Sequence, residues 1–102
     1  MREWSTMWRT MISSFLIGIV GGNALPHFMR GITRENYPNA LGYQPVPNFL
    51  AGWAGLILAG LLGISVDMRR YPKRAFAGLM AGVLLIGLFH AGPGAFGKKP
   101  GS

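Results

Sequence analysis

Three long stretches of the chain carry no charged residue, and clusters of charged residues separate them. The first stretch lies between Arg9 and Arg30, the second ends before Asp67, and the third lies between Arg74 and Lys98. About 20 helical residues cross the hydrocarbon core of a bilayer, because the core is about 30 Å thick and each residue adds about 1.5 Å. The pattern therefore predicts an all-α membrane protein with three transmembrane helices. The expected spans are residues 10–29, 48–66 and 75–92 of a single membrane domain, residues 1–102.

The first span is more polar than the other two, and it contains Pro26. Proline removes one helical hydrogen bond, so we expect this span to be loosened near Pro26. Two other interpretations stay open. Arg2 and Arg9 precede an apolar stretch and the small residues 22–24, which also fits a cleaved secretory signal. A re-entrant segment is the third interpretation, provided that neighbouring helices bury its broken backbone.

The connections between the spans differ in length and composition. Residues 67–74 are so few that we expect spans two and three to form a tight antiparallel hairpin. Residues 30–47 contain three prolines, which indicates a structured outer loop without a helix. The tail, residues 93–102, is rich in Gly and Pro, so we expect it to be flexible. Whether its final Gly-Ser pair is native stays open.

The charge is strongly positive, with ten Lys and Arg against three Asp and Glu and a formal net charge of +7. These charges lie in clusters and do not cover one continuous solvated face, so we expect no nucleic-acid partner. With three spans, six basic residues share a side with the N-terminus and four lie on the other side. The positive-inside rule then predicts a bacterial inner-membrane protein with a cytoplasmic N-terminus. The densest cluster is expected to fix this topology and to bind anionic lipid head groups: Arg69, Arg70, Lys73 and Arg74.

Small residues recur at helical spacing along each span. Lipid supplies no hydrophobic driving force between helices, so helix association in a membrane depends on close approach at such residues. We therefore expect helix packing at Gly52, Gly55, Gly63, Gly78 and Gly82. The Gly78-x-x-x-Gly82 face is the one that we expect to contact another subunit, either a copy of the chain or a larger membrane complex.

Polar residues on the first span share one helical face. Asn23, His27 and Arg30 lie on this face, and Asn23 and His27 are four residues apart, so they can share a hydrogen bond. Ionisable residues inside a span are candidate functional residues. If several copies assemble, the three side chains would line a path for a small ion or solute.

The two histidines of the chain, His27 and His90, are expected at a similar depth near the outer face, because spans one and three run in the same direction. Two imidazoles at one depth are candidate axial ligands of a haem or a pigment. Catalysis has less support. The chain lacks Cys, its three carboxylates lie at or outside the membrane interfaces, and no pair of nucleophile and base stands out.

The run GNALPHFMRGITRENYP resembles a group of small, functionally unassigned bacterial membrane proteins. The shared features are a Pro-His-Phe-x-x-Gly-Ile-Thr run, a following aromatic-Pro pair, and a Gly- and Trp-containing span that begins with Asn, here Asn48. The resemblance covers residues 21–60 and implies no known activity. Arg34 stands where another Gly would be expected, and a long Pro-rich stretch precedes Asn48. The most identifying positions are His27, Phe28, Gly31 and Ile32.

These features together predict a small integral membrane protein that acts without catalysis, as an oligomer or as an accessory subunit of a larger membrane complex. Two alternatives stay open. One is an oligomeric channel or transporter for a small ion or solute, and the other is an electron-transfer subunit that holds haem or a pigment through His27 and His90.

Overall fold

The computed structural model describes the backbone of residues 2–92 and the side chains of residues 5–92. This part of the chain is helical and contains no strand. Its elements are α1 (Arg2–Ile32), α2 (Pro45–Leu62), a short 3₁₀ turn (Gly63–Ser65) and α3 (Pro72–Ala91). All three α-helices are long and apolar enough to cross a membrane. The predicted fold class is therefore confirmed. The predicted flexible tail lies outside the described residues.

Helix α1 is longer than the sequence pattern predicts, and it is continuous. It contains 31 residues and runs through Pro26 to Ile32, so the expected loosening does not interrupt the helix. Neighbouring helices commonly compensate for a proline in a membrane helix. A helix of this length measures about 46 Å, which exceeds the hydrocarbon thickness of about 30 Å. The additional length lies mainly at the N-terminal end, before the expected first residue of the span at position 10.

Local sequence signals define where the helices begin and end. Pro45 and Pro72 occupy the first turn of α2 and α3, where a missing N–H has no helical partner to lose. The C-terminus of α1 is closed by two backbone hydrogen bonds, from Glu35 N–H to the Arg30 carbonyl at 2.8 Å and from Arg34 N–H to the Gly31 carbonyl at 3.2 Å. This pair of bonds is a Schellman motif.

Helix α1 lies between α2 and α3 and packs against both of them. Among the described residues, α2 and α3 make no significant contact with each other. The prediction of a tight hairpin between spans two and three is therefore wrong. Six residues, 66–71, connect the 3₁₀ turn to α3. Since an extended chain covers about 3.3–3.6 Å per residue, they are long enough to pass beside α1.

Glycines bring α1 and α3 into close contact. A Cβ on Gly82 would overlap the Phe15 carbonyl oxygen, and one on Gly18 would overlap the Leu79 carbonyl oxygen. A Cβ on Gly78 would lie 2.7 Å from the Met11 carbonyl oxygen. The Gly78–Gly82 face is thus occupied within the chain. The expectation that it contacts another subunit is not met, because α1 covers it.

The contact between α1 and α2 is built in the same way. A Cβ on Gly52 would lie 2.5 Å from the Phe28 backbone nitrogen, and one on Gly31 would lie 2.5 Å from the Phe49 backbone nitrogen. Gly55 faces Ala24, which is 2% exposed. A Cβ on Gly63, by contrast, would have no atom within 4 Å. Gly63 therefore does not pack between helices, contrary to prediction.

Candidate functional site

Asn48 organises the end of the bundle at which residues 33–44, the connecting loop, join α1 to α2. Its side chain lies in the first turn of α2 and is 0% exposed. The amide nitrogen donates to the carbonyl oxygens of Tyr37, Tyr43 and Gln44 at 2.9, 3.2 and 3.0 Å. One side chain therefore holds the C-terminal end of the connecting loop, and Tyr37 in its interior, against α2.

The amide of Asn48 also determines the tautomer of His27. Three carbonyl oxygens surround one end of the amide, so that end must be the NH₂ group and the opposite end the oxygen. The Asn48 Oδ1 lies 2.7 Å from Nδ1 of His27. Because an amide oxygen can only accept, Nδ1 of His27 carries a proton, so the neutral tautomer would present its lone pair on Nε2.

His90 lies beside His27 and has the same tautomer. Its Nδ1 lies 2.9 Å from the Ile86 carbonyl oxygen, which makes Nδ1 the donor. Its Nε2 is buried, with no hydrogen-bond partner among the described residues. The two ring centres are 6.4 Å apart. The structure thus brings together two imidazoles that each donate through Nδ1, which leaves Nε2 as the ligating nitrogen of the neutral tautomer. We call His27, Asn48 and His90 the histidine–asparagine cluster.

Tyr37 and Arg30 cover the cluster on the loop side. The ring of Tyr37 meets His27 edge to face, with 5.3 Å between ring centres. The guanidinium of Arg30 lies 5.4 Å from the centre of the Tyr37 ring and also pairs with the carboxylate of Glu35. Arg30 is therefore engaged by an aromatic face and a carboxylate of the connecting loop.

Further hydrogen bonds inside the connecting loop fix its shape. Tyr37 N–H donates to the Tyr43 carbonyl at 2.9 Å, and the Asn39 side chain donates to the Pro47 carbonyl at 3.1 Å. Gly42 closes a turn with the Asn39 carbonyl at φ +134°, a backbone conformation that favours glycine. These bonds order residues 33–44, whereas both ends of the predicted loop, residues 30–47, are helical, because α1 continues to Ile32 and α2 begins at Pro45.

The predicted polar face of α1 divides into separate environments. His27 is 5% exposed and bonds to Asn48. Among the described residues, Asn23 makes no hydrogen bond with His27, so the expected Asn23–His27 bond is absent. Arg30 turns to Glu35 and Tyr37. The three residues therefore do not line a common path within one copy of the chain.

The separation of the two imidazole rings fits one bound metal ion, whereas the helices beside them pack too closely for a planar macrocycle. Two imidazoles that bind one metal ion from opposite sides have ring centres about 6 Å apart, because each metal–nitrogen bond is about 2.0–2.1 Å long. A haem would need a slot between α1 and α3, but a Cβ on Gly22 would lie only 2.7 Å from the Ile86 side chain one turn away. The helices would have to separate to admit a haem. Within the described residues, no group of three or more His, Cys, Asp or Glu side chains forms a metal site.

The opposite end of the bundle, which we call the basic end, carries the predicted cationic cluster. Arg69, Arg70, Lys73 and Arg74 are all exposed there. A second buried polar residue ties the segment before this cluster to α1: Thr10 is 0% exposed, and its hydroxyl accepts the backbone N–H of Asp67 at 3.0 Å. Each end of the bundle is thus fixed by one fully buried polar side chain.

Sequence reasoning did not identify Asn48, Tyr37 or Thr10 as site residues. A signal existed for Asn48, because an asparagine directly follows Pro-x-Pro at the start of an apolar span. Its three carbonyl partners depend on how the connecting loop folds, which the sequence pattern does not reveal. The chain matches no protein-family model, and no curated protein or solved structure matches it.

Proposed function

We propose that this chain is a non-catalytic membrane subunit that acts as an oligomer or as an accessory subunit of a larger membrane complex. In this proposal, the connecting loop is the surface that meets the partner. The observation that carries it is the position of Asn48, whose fully buried side chain fixes the backbone of a loop outside the spans. Preorganised loops lose less conformational entropy on binding than flexible ones.

Apolar side chains at the loop end support this proposal. Leu41 is 68% exposed and Val46 is 66% exposed, although both lie beside a backbone that is held in one conformation. Leu41 and Val46 therefore offer apolar contact surface at a position that does not change shape. The small-residue faces of α2 and α3, in contrast, are already used against α1. A partner that meets this chain is therefore expected to bind at the loop end.

Site-specific photo-crosslinking tests the proposal. A photoreactive amino acid at Leu41 should form a discrete protein crosslink in native membranes, and one at Leu84, which is 62% exposed on α3, should react with lipid. Asn48→Ala should abolish the Leu41 crosslink because the loop loses its fixed shape. Differently tagged copies will show whether the crosslinked partner is a second copy of the chain. If Leu41 yields only lipid adducts, like Leu84, the proposal is wrong.

A second candidate function rests on the unpartnered nitrogen of His90. We propose that the Nε2 atoms of His27 and His90 bind one late-transition-metal ion, since neutral imidazole is a common ligand of zinc and copper. Calorimetry with Zn²⁺ alone and electron paramagnetic resonance with Cu²⁺ alone should show one ion per chain. His27→Gln and His90→Gln should each abolish binding, whereas Asn23→Ala should retain it. Equal binding by all four proteins would refute the metal site.

A further inference from the structure

An apolar cleft opens between α1 and α3 near the basic end of the bundle. Its volume is about 280 Å³, and an apolar cavity of about 150 Å³ already holds a molecule of the size of benzene. The lining combines small residues with aliphatic and aromatic ones: Ser14, Ile17, Gly63, Val66, Met68, Ala75, Phe76 and Leu79. Gly63 contributes to this space because it has no side chain, and a Cβ at this residue would meet no atom within 4 Å.

A second cleft adjoins the first on the side of the N-terminal part of α1. It has a volume of about 440 Å³, shares Val66 and Met68 with the apolar cleft, and includes Arg9 and Arg69 in its lining. The other lining residues are Thr6, Ile64, Ser65 and Asp67. Two arginines, one from α1 and one from the segment after the 3₁₀ turn, thus lie next to the apolar cleft.

We propose that the two clefts bind one anionic phospholipid, with its phosphate between Arg9 and Arg69 and part of an acyl chain in the apolar cleft. The guanidinium group is well suited to phosphate because its donors match the phosphate oxygens in pairs. The exposed cations at this end of the bundle also favour a lipid with an anionic head group over a neutral one. This proposal does not depend on the partner role of the connecting loop.

Among the residues whose side chains the structure describes, Asp67 is the carboxylate that lines this second cleft, and it is engaged in the turn. Its Oδ1 accepts the backbone N–H of Arg70 at 3.0 Å, and its own N–H donates to Thr10. Three other cations of the basic end that the structure describes line neither cleft: Arg70, Lys73 and Arg74. Arg9 and Arg69 would therefore bind one lipid at a specific site, whereas the other three cations would attract anionic lipids without a defined site.

Native mass spectrometry of the full chain in lipid mixtures tests this distinction. The protein should retain one phosphatidylglycerol in preference to phosphatidylcholine by at least about tenfold. The double substitution Arg9→Gln with Arg69→Gln should abolish this preference. The matched control, Arg70→Gln with Lys73→Gln, removes the same charge and should change the preference less than about twofold. If the two double variants lose lipid equally, attraction is diffuse and the site is refuted.

A pair of glycine variants tests the apolar half of the site. Gly63→Leu should fill the cleft and weaken lipid retention by about tenfold, whereas Gly60→Leu, which also meets no atom within 4 Å, lies outside the cleft and should have no effect. Circular dichroism will verify that both variants are helical. If Gly63→Leu retains lipid like Gly60→Leu, or if millimolar inorganic phosphate displaces the lipid fully, no acyl chain occupies the cleft and the proposal is overturned.

Discussion

At the scale of single residues, the fold depends on polar side chains that are buried at the two ends of the bundle. Asn48 and Thr10 are both 0% exposed, and each holds a connecting segment. A buried polar group costs free energy unless it is hydrogen-bonded. The Asn48 side chain is bonded at both ends: its oxygen accepts from His27, and its nitrogen donates to three carbonyl oxygens. The sequence indicates that His27 needs a polar partner. It does not indicate Asn48, because the two residues meet only in the folded chain.

Asn48→Ala should destabilise the protein by about 1–3 kcal/mol, since it removes the hydrogen-bond partner of Nδ1–H of the buried His27 and of the Tyr37 carbonyl oxygen. Thermal unfolding in detergent, followed by circular dichroism, measures the loss. Asn36→Ala in the same loop is the matched control, because Asn36 is exposed, and it should change stability by less than about 0.5 kcal/mol. Similar unfolding temperatures for the two variants would contradict the role of Asn48.

Arg34 adopts φ +58°, the left-handed conformation at the C-terminus of α1. This conformation costs about 1 kcal/mol or more for a residue with a Cβ, and glycine is the usual residue at this position of a Schellman motif. Arg34→Gly should therefore stabilise the protein by about 1 kcal/mol in the same unfolding measurement. Arg34→Ala removes the same long side chain but keeps the Cβ, so it should give no such gain. A gain of equal size in Arg34→Ala would show that the charge matters and the backbone does not.

At the scale of helices, the sequence predicts the existence of the spans better than their arrangement. Charge-free stretches of sufficient length identify all three helices. A glycine stripe shows that a face packs closely, but it does not show against which helix. Gly52 and Gly82 both face α1, which leaves α2 and α3 apart. The predicted hairpin is wrong because a short connection can pass beside a third helix.

Gly82→Leu should disrupt the packing of α1 against α3, since a Cβ at this position already overlaps the Phe15 carbonyl oxygen. We expect a loss of about 1–3 kcal/mol, the range of overpacked cores. Gly87→Leu on the same helix meets no atom within 4 Å and should be nearly neutral. Unfolding and size-exclusion chromatography distinguish two outcomes. If Gly82→Leu dissociates an oligomer of folded chains, the Gly78–Gly82 face lies between subunits and does not pack against α1 of the same chain.

At the scale of the whole molecule, the order of the spans along the chain determines which segments share a side of the bundle. The N-terminal part of α1 lies beside residues 67–74, as the contact between Thr10 and Asp67 shows, and the connecting loop lies at the other end. Successive connections alternate between the two ends of the bundle because each span crosses it once, so the sequence alone predicts which segments share an end. Which end faces the cytoplasm depends on the membrane and on the basic residues, so it calls for a separate measurement.

Single-cysteine labelling measures this orientation directly, because the chain contains no Cys. Asn36→Cys lies in the connecting loop and should react with a membrane-impermeant maleimide in intact cells. Ser5→Cys lies near the start of α1 and should react only after the cells are permeabilised. Both side chains are exposed in the native residues, so access to the reagent is comparable. The reverse pattern of labelling would refute a cytoplasmic N-terminus.

The same assay tests whether the basic cluster sets the orientation. Six basic residues on the N-terminal side oppose four on the other side, so Arg69→Gln with Arg70→Gln reduces the difference to zero. Since orientation follows the excess of Lys and Arg near the ends of the spans, we expect this double variant to insert in both directions and to label at both cysteine positions. Arg30→Gln with Arg34→Gln changes the count on the opposite side and should leave the native orientation intact. If the first pair of substitutions leaves labelling unchanged, features other than these two arginines determine the topology.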